Sequence, residues 1–393
     1  MKTLAAVSGV LLLILPLSVA SDQPEQWQPA LDLRYRFEHV DDEGFARNAN
    51  ASTLRVRAGI ISPEWSGFSI AGTVHANRRV GPKRFNSTAN SRVQYPVVAD
   101  PDDEGVSEAW VRYRAGEAFQ LVAGRQRIVE DNQRFIGNVG FRQLEQTFDA
   151  VTLGWRPDDA LQVDLRWLDK AHRVFGRSNP NPLLAKANLN AWTATVGYSA
   201  DSHNLAVYGH RLIFKDRPAS HRNIGFRATG SLPGDRGLAY RVELAQQQGL
   251  RELSDESSQG YLHLRIQQRL DQWHWFLAHE RLGGDGSYAF QTPLATLHAH
   301  NGWTDRFLTT PAAGLVDWHA GAGTRFGEWT GLVKLHHFST DRGSNRLGNE
   351  YGLMLARPLP AGLSFEAKAA WFEARGSAPD VGKLWLTLSG SWQ

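Results

Sequence analysis

The sequence has 393 residues, a formal net charge of +3 and no cysteine. Charged residues make up 21% and aromatic residues 10% of it, which excludes a disordered chain, and the lack of cysteine excludes a fold held by disulfides. The mean hydropathy of −0.39 is typical of a soluble protein, but a large membrane β-barrel gives a similar value because only one face of each strand meets lipid.

The first twenty residues differ from the rest of the chain. Lys2 precedes an apolar run over residues 4–19, and Ser18 and Ala20 put small residues at the two positions that signal peptidase reads. We predict a secretory signal peptide over residues 1–20, cleaved before Ser21, in preference to a membrane anchor. No later stretch reaches about 18 apolar residues, which excludes a helical membrane protein.

Apolar and polar residues alternate directly after this segment, which is the period of a β-strand. Residues 31–38 alternate leucine, tyrosine and phenylalanine with aspartate, arginine and glutamate. The same pattern recurs at residues 54–57, 161–167, 238–244, 262–266, 363–370 and 384–392. Continued along the chain, it gives about 18 strands of about 9–11 residues, the length of a tilted membrane-crossing strand. We predict an all-β fold over residues 21–393: a single transmembrane, antiparallel, up-and-down β-barrel.

The connections between the predicted strands alternate in length. Short turns are expected near residues 63–66, 115–117, 156–159, 200–203, 269–272, 327–329 and 358–361, and long segments at 79–105, 128–145, 169–188 and 283–314. Short periplasmic turns and long extracellular loops are typical of barrels in the Gram-negative outer membrane. An even strand number places both termini in the periplasm, and the expected partners are outer-membrane lipid and the barrel-assembly machinery.

A barrel of this size encloses an aqueous channel, so we expect function to reside in the residues that face the lumen. Strand phase directs about 13 basic and about 8 acidic side chains inward. The basic positions are Arg34, Arg36, Arg55, Arg57, Arg112, Arg114, Arg166, Arg227, Arg241, Arg265, Lys334, Lys368 and Lys383. Rings of arginine and lysine select anions, and guanidinium groups match carboxylates. The alternative is that these charges pair across neighbouring strands and only hydrate the pore.

The long segments carry the most distinctive sequences. They are GRQRI at 124–128, DNQRFIGNVGFRQ at 131–143, EQTFDA at 145–150, HRVFG at 172–176, FQTPLATLH at 290–298 and NGW at 301–303, with NST at 86–88 and YPVVADP at 95–101. Taken in chain order, these segments resemble the alginate-export family of outer-membrane porins. The resemblance runs from about residue 31 to the C-terminus.

The resemblance implies a monomeric barrel whose arginine-rich lumen passes an anionic uronate polymer outward, with some loops folded into or over the pore. Carried over by position, it makes Arg125, Arg127, Arg134 and Arg142 candidate constriction residues. The inward direction of Arg125 rests on the resemblance alone, because the strand phase breaks there.

Two transport hypotheses therefore stand side by side. One is passage of anionic, uronate-type polysaccharide or oligosaccharide, with periplasmic export partners. The other is uptake of small organic anions or sugar acids through a substrate-selective porin. A structural barrel with a plugged lumen is a third class.

Other chemistries find little support in the sequence. Hydrolase, zinc-helix and nucleotide-loop motifs are absent, so we predict no enzyme and no cofactor. The basic residues alternate with apolar ones instead of forming a patch, which argues against nucleic-acid binding. The histidine pairs at 298/300 and 336/337 lack an obvious third metal ligand. Asp100, Asp102 and Asp103 offer oxygen ligands for calcium, with a solvated acidic loop as the alternative.

Overall fold

The fold is one sheet of antiparallel strands joined in chain order. The computed structural model describes residues 26–232, 237–250 and 258–393, so the expected signal peptide lies outside the described residues. The eighteen strands within these ranges are β1 (Gln28–Asp42), β2 (Ala49–Ile61), β3 (Phe68–Arg79), β4 (Asp103–Ala115), β5 (Phe119–Gln126), β6 (Thr147–Trp155), β7 (Leu161–His172), β8 (Lys186–Ala200), β9 (His203–Phe214), β10 (His221–Ser231), β11 (Ala239–Gly249), β12 (Ser258–Leu270), β13 (Trp273–Leu282), β14 (Leu315–Phe326), β15 (Trp329–Ser339), β16 (Arg346–Pro358), β17 (Leu363–Ala374) and β18 (Val381–Trp392).

Helical structure in the described residues is confined to single turns. They are α1 (Pro182–Ala185) and two 3-10 turns at Leu297–Ala299 and Pro360–Gly362. Among the described residues, no helix has the length and apolar character needed to span a bilayer.

The sheet closes on itself. Each strand pairs with its neighbours in the chain, and β1 pairs with both β2 and β18, so that Tyr35 lies opposite Leu54 on one side and Leu388 on the other. Closure pairs the backbone groups of both edge strands, each of which would cost several kcal/mol if left unpaired in hydrocarbon. The predicted all-β barrel of about 18 strands is confirmed.

The two faces of the wall follow the alternation of the sequence. In β9, Leu205 and Val207 are exposed on the outer surface, whereas Ala206 and Tyr208 are buried on the inner one. A register shift of one residue would exchange these two sets, so the buried contacts inside the barrel fix the register.

The four longest connections, residues 80–102, 127–146, 173–185 and 283–314, lie at one end of the barrel as predicted, although four others at that end have only six residues each. Two-residue turns lie at 201–202, 271–272 and 327–328, where Asp201, Asp271 and Gly327 adopt the positive φ that tight turns require. The segment expected at 169–188 is shorter, because β7 continues to His172 and β8 begins at Lys186.

Two of the long connections fold into the barrel. We call residues 127–146, between β5 and β6, inner loop A, and residues 283–314, between β13 and β14, inner loop B. Ile136 of loop A and Phe290 and Leu294 of loop B are buried in one apolar cluster with inward wall residues such as Phe148 and Phe338. The apolar core of the molecule therefore lies inside the barrel.

The two faces of β15 should respond differently to the same new side chain. Val333 is exposed on the outer face near the middle of the strand, and the adjacent Lys334 faces inward. We expect Val333→Arg to destabilise the folded barrel in lipid vesicles by about 2–4 kcal/mol, which is the cost of placing arginine at mid-bilayer. The control Lys334→Arg should change it little, as measured by urea titration of tryptophan fluorescence. Equal costs at the two positions would contradict the assignment of faces.

Candidate functional site in the barrel lumen

Wall arginines hold inner loop A through its backbone. Arg34 Nη1 donates to the carbonyl oxygen of Gly140 at 2.8 Å, and Arg36 donates to that of Phe141. Arg55 Nη1 reaches the carbonyl of Gln143 at 3.2 Å. These three donors satisfy carbonyl groups that a loop removed from bulk water would otherwise leave unpaired.

Arg142 connects loop A to the wall and to loop B. Its Nη1 lies 2.9 Å from Glu38 Oε2 on β1, and its Nη2 lies 3.3 Å from Asp305 Oδ2 on loop B. Asp305 also lies 3.0 Å from Lys383 Nζ and 2.7 Å from His298 Nδ1. Burial opposes ionisation of Asp305, but these cationic and hydrogen-bonding neighbours outweigh it and hold its pKa well below the usual value.

The far side of loop A reaches the opposite part of the wall. Arg134 Nε lies 3.0 Å from Glu280 Oε1 on β13, and both side chains are almost fully buried. Arg134 Nη2 also donates to Asn301 Oδ1 of loop B at 3.1 Å. Asp131 Oδ2 is 3.2 Å from Arg227 Nη1 on β10 and also accepts from Arg241 on β11. Loop A therefore crosses the lumen.

The two inner loops are joined by their backbones. Ile136 and Leu294 form an isolated parallel β-bridge, Gly137 N donates to Leu294 O at 3.0 Å, and Thr296 N donates to Gln133 O at 3.0 Å. Val139 has a φ of 52°, a strained value for a β-branched residue, and its amide donates to Thr296 Oγ1 at 2.9 Å. Such strain persists only where the surrounding contacts hold the backbone in place. These contacts come from loop B, so the two loops act as one unit.

A second group of charges fixes the C-terminal end of loop A. Glu145 accepts from Arg57 at 2.7 Å and lies 2.7 Å from Arg127 Nε, and both arginines also approach Glu108. Burial again opposes ionisation, yet Arg57 and Arg127 hold the pKa of Glu145 well below its usual range.

The predicted site residues other than Arg125 fall into three groups. The first group faces the lumen and forms ion pairs with carboxylates: Arg55, Arg57, Arg114, Arg166, Arg227, Arg241 and Lys383. Arg127, Arg134 and Arg142 lie on loop A inside the barrel and are also paired. The third group faces the lumen with no carboxylate within 4.0 Å of the cation among the described residues: Arg34, Arg36, Arg112, Arg265, Lys334 and Lys368.

The expected inward direction of Arg125 is wrong. Arg125 lies opposite Asp149 in the β5–β6 ladder and pairs with it at 2.9 Å, on the face opposite to the inward residues Phe148 and Ala150. The β4–β5 and β5–β6 ladders run through Gly124 without a register shift, so regular alternation, with Val122 and Gln126 buried, places Arg125 on the outer face. Arg125 therefore belongs to the outer surface and not to the constriction.

The suggested calcium ligands do not converge. Asp100 accepts a hydrogen bond from the amide of Gln143, Asp102 accepts one from the amide of residue 79, and Asp103 lies 3.3 Å from His75 Nε2. Each carboxylate thus has its own protein partner, and the described residues form no calcium cluster in this loop.

Above the inner loops, a cavity of 420 Å³ opens at the end of the barrel with the long connections. We call it the vestibule. Its lining combines apolar side chains such as Phe45, Phe175 and Leu297 with cations and with the carboxylates Asp42 and Asp305. Arg306 lines it and forms no hydrogen bond or ion pair with any other described residue. Burial and the neighbouring Arg217 lower the pKa of Arg173, another lining residue, to about 10, which leaves it cationic at neutral pH.

The sequence did not point to Arg306, because loop B has no strand period and the quoted motifs end before it. The contacts by which the preceding Asp305 anchors loop B are visible only in the structure.

The sequence profile of the family described as "Alginate export" matches residues 26–295, more than half of the chain. The chain belongs to this family. Comparison with curated proteins gave no match.

Solved structures show the same fold at low identity. OccK3 (OpdO) of Pseudomonas aeruginosa is 14% identical over 95% of this chain and 97% of its own, with a TM-score of 0.72. OccAB4 of Acinetobacter baumannii is 11% identical over 93% and 98%, with a TM-score of 0.75. OpdK of P. aeruginosa, solved with vanillate, is 14% identical over 93% and 99%, with a TM-score of 0.69. This member of the alginate-export family is thus a porin of the Gram-negative outer membrane, and its family and fold are those of channels and not of enzymes.

Loss of the Arg142 side chain should release the inner loops. We expect Arg142→Gln to weaken this anchor by about 3–5 kcal/mol, because Glu38 would remain buried without its ion partner and Asp305 would lose its link to loop A. Single-channel conductance in planar bilayers should increase. Arg125→Gln, the same change on the outer face, is the matched control and should conduct as the unaltered chain does. Unchanged conductance in a folded Arg142→Gln barrel would show that the loops do not limit the current.

Acid should open the pore only at very low pH. A carboxylate with a depressed pKa stabilises the folded state above its unfolded pKa, near 3.8 for Asp305, and this contribution is lost as the pH falls through the lower folded value. We expect constant conductance from pH 7 to about 4 and an increase below that. Asp305→Asn should conduct more at pH 7 and respond less to acid. An increase centred near pH 6 would implicate histidine instead.

Proposed function

We propose that this porin takes up small organic anions, in particular carboxylates with an apolar or aromatic body. The observation that carries the proposal is the vestibule, whose 420 Å³ lies within the range of about 300–1,000 Å³ found for small-molecule sites. Apolar walls would bury the body of such a solute, while Arg306 and Arg173 would meet its carboxylate.

The inner loops favour a small solute over a polymer. Loop A is held to β1, β2, β10, β11 and β13, and loop B holds Glu350 of β16 through the amides of Trp303 and Thr304. A polysaccharide chain would need both loops to leave the lumen together. A small anion needs only a gap beside them.

Cations with no carboxylate within 4.0 Å also face the lumen from β4, β12 and β15, outside the vestibule. Lys334 Nζ lies 5.1 Å from the ring centre of Trp303, and Arg265 lies 3.9 Å from that of Phe276. Arg112, near the end of the barrel with the short turns, donates to Ser69 Oγ at 3.0 Å. Cations that no nearby carboxylate neutralises attract anions. The vanillate of the OpdK structure is an aromatic carboxylate of the kind we expect this porin to pass. In the proposed orientation, both termini would lie in the periplasm.

Passage of a uronate polymer is the second candidate, and the specific observation in its favour is the family match over residues 26–295. The same arginines would serve either solute, because both carry carboxylates. What differs is the width that the inner loops leave.

Block of single-channel current separates the two candidates. We expect aromatic monocarboxylates added on the vestibule side to block the current, and uronate oligomers of increasing length to block progressively less. Arg306→Gln should weaken the block by the small acids about tenfold or more, since a hydrogen bond to a charged group contributes about 1.5–3 kcal/mol.

Arg211→Gln is the control for this substitution. Arg211 is exposed on the outer face of β9, opposite Trp192, so the same charge is lost outside the lumen and the block should not change. Strong block by long uronate oligomers, with none by small acids, would favour the polymer and contradict our proposal.

A further inference from the structure

Three potential metal ligands meet on the inner wall beside loop B. Asp317 and His319 lie two residues apart on β14 and therefore share its inner face. His336 of β15 stands directly opposite His319 in the ladder. The two imidazole rings stack with their centres 4.9 Å apart and their planes 20° from parallel. Adjacent strands thus hold two imidazoles and one carboxylate in a single group.

The same nitrogen of each histidine points at the carboxylate. Nδ1 of His336 lies 3.0 Å from both carboxylate oxygens of Asp317, and Nδ1 of His319 lies 3.4 Å from Oδ2. A metal ion with bonds of about 2.0–2.1 Å in tetrahedral geometry separates its ligands by about 3.4 Å. The three ligand atoms all lie within 4.8 Å of one another, so they are close enough to share one ion.

The charge of Asp317 calls for a cation. The carboxylate is fully buried, and within the described part of the chain its ion partners are His319 and His336, with no lysine or arginine within 4.0 Å. A buried carboxylate without a cation costs several kcal/mol. In addition, Nδ1 of His319 is buried and, despite its 3.4 Å approach to Asp317, makes no hydrogen bond within the described residues.

We propose that Asp317, His319 and His336 bind a divalent transition-metal ion, for which Zn²⁺ is the best match. Two imidazole nitrogens and one carboxylate oxygen, with a fourth position left open, are the ligands of many non-structural zinc sites. The site is independent of the proposed transport function, because neither the vestibule nor Arg306 takes part in it.

Neighbouring side chains complete the surroundings of the ion. Asn301 Nδ2 of loop B lies 3.3 Å from Asp317 Oδ2 and orients the carboxylate. The ring of His263 on β12 is stacked 6.3 Å from that of His319, and its buried Nδ1 has no hydrogen-bond partner among the described residues. His319 is the most exposed of the three ligands, so the open position faces the lumen and takes water, His263 or a solute carboxylate.

The competing state is a hydrogen-bonded carboxylate with one protonated imidazole and no metal. The two states differ in what they predict for added Zn²⁺ at neutral pH. The metal site binds it and releases protons, because the ligands must be deprotonated to hold the ion. The protonated pair binds none.

The test uses the full-length barrel, purified in detergent without a histidine tag, stripped with EDTA and titrated with ZnCl₂ by calorimetry at pH 7. We expect one tight Zn²⁺ per chain. His319→Gln and His336→Gln should each weaken binding by about 100-fold or more, since changes to outer-shell groups alone cost about 10–100-fold. His337→Gln is the matched control, because His337 is on the outer face and bonds Asn349.

Heat-modified gel mobility establishes that each variant is folded, and anomalous scattering at the zinc edge locates the ion. A peak between β14 and β15 supports the proposal. It is overturned if no tight binding occurs, or if His336→Gln and His337→Gln bind Zn²⁺ as the unaltered chain does. A failure of this test leaves anion block at the vestibule unaffected, so the two proposals stand or fall separately.

Discussion

The structure depends on the need to pair every backbone amide and carbonyl in a medium without water. Hydrocarbon offers no substitute partner, so the eighteen strands must close, with β1 against β18. Closure at this strand number fixes a wide interior, since barrels of 16–18 strands leave an aqueous channel. What the chain places in that interior then decides what the channel passes.

The same requirement acts a second time inside the lumen. Inner loop A leaves bulk water when it crosses the barrel, and its carbonyl groups need donors that no β-ladder supplies. Arg34, Arg36 and Arg55 provide them from the wall. An arginine is suited to this because its guanidinium carries five donors in a rigid fork. The arginine-rich lumen therefore has a structural role, and arginine count alone overstates the positive charge presented to a solute.

The sequence predicted the wall well and its contents poorly, for physical reasons. Period-2 alternation over residues 31–38 reports two environments directly, so strands, faces and closure followed from it. The inward direction of Arg125 rested on the resemblance alone, and the regular β5–β6 ladder places this residue outward. The inner loops have no period, so nothing in the sequence placed Arg306 at the vestibule. The meeting of His319 with His336 required the register of β14 against β15, which alternation cannot give.

The division between paired and unpaired cations bears on selectivity. Arg57 and Arg142 each face two or more carboxylates, so their fields are largely cancelled at the distance of a passing ion. Arg265 and Arg306 have no carboxylate within 4.0 Å of the guanidinium among the described residues, and in a narrow, low-dielectric passage a charge without an ion partner acts strongly. Anion preference should then arise from this minority of residues. Their positions in the vestibule and on the lumen-facing wall, and not the total of arginines, define the path that a carboxylate would follow.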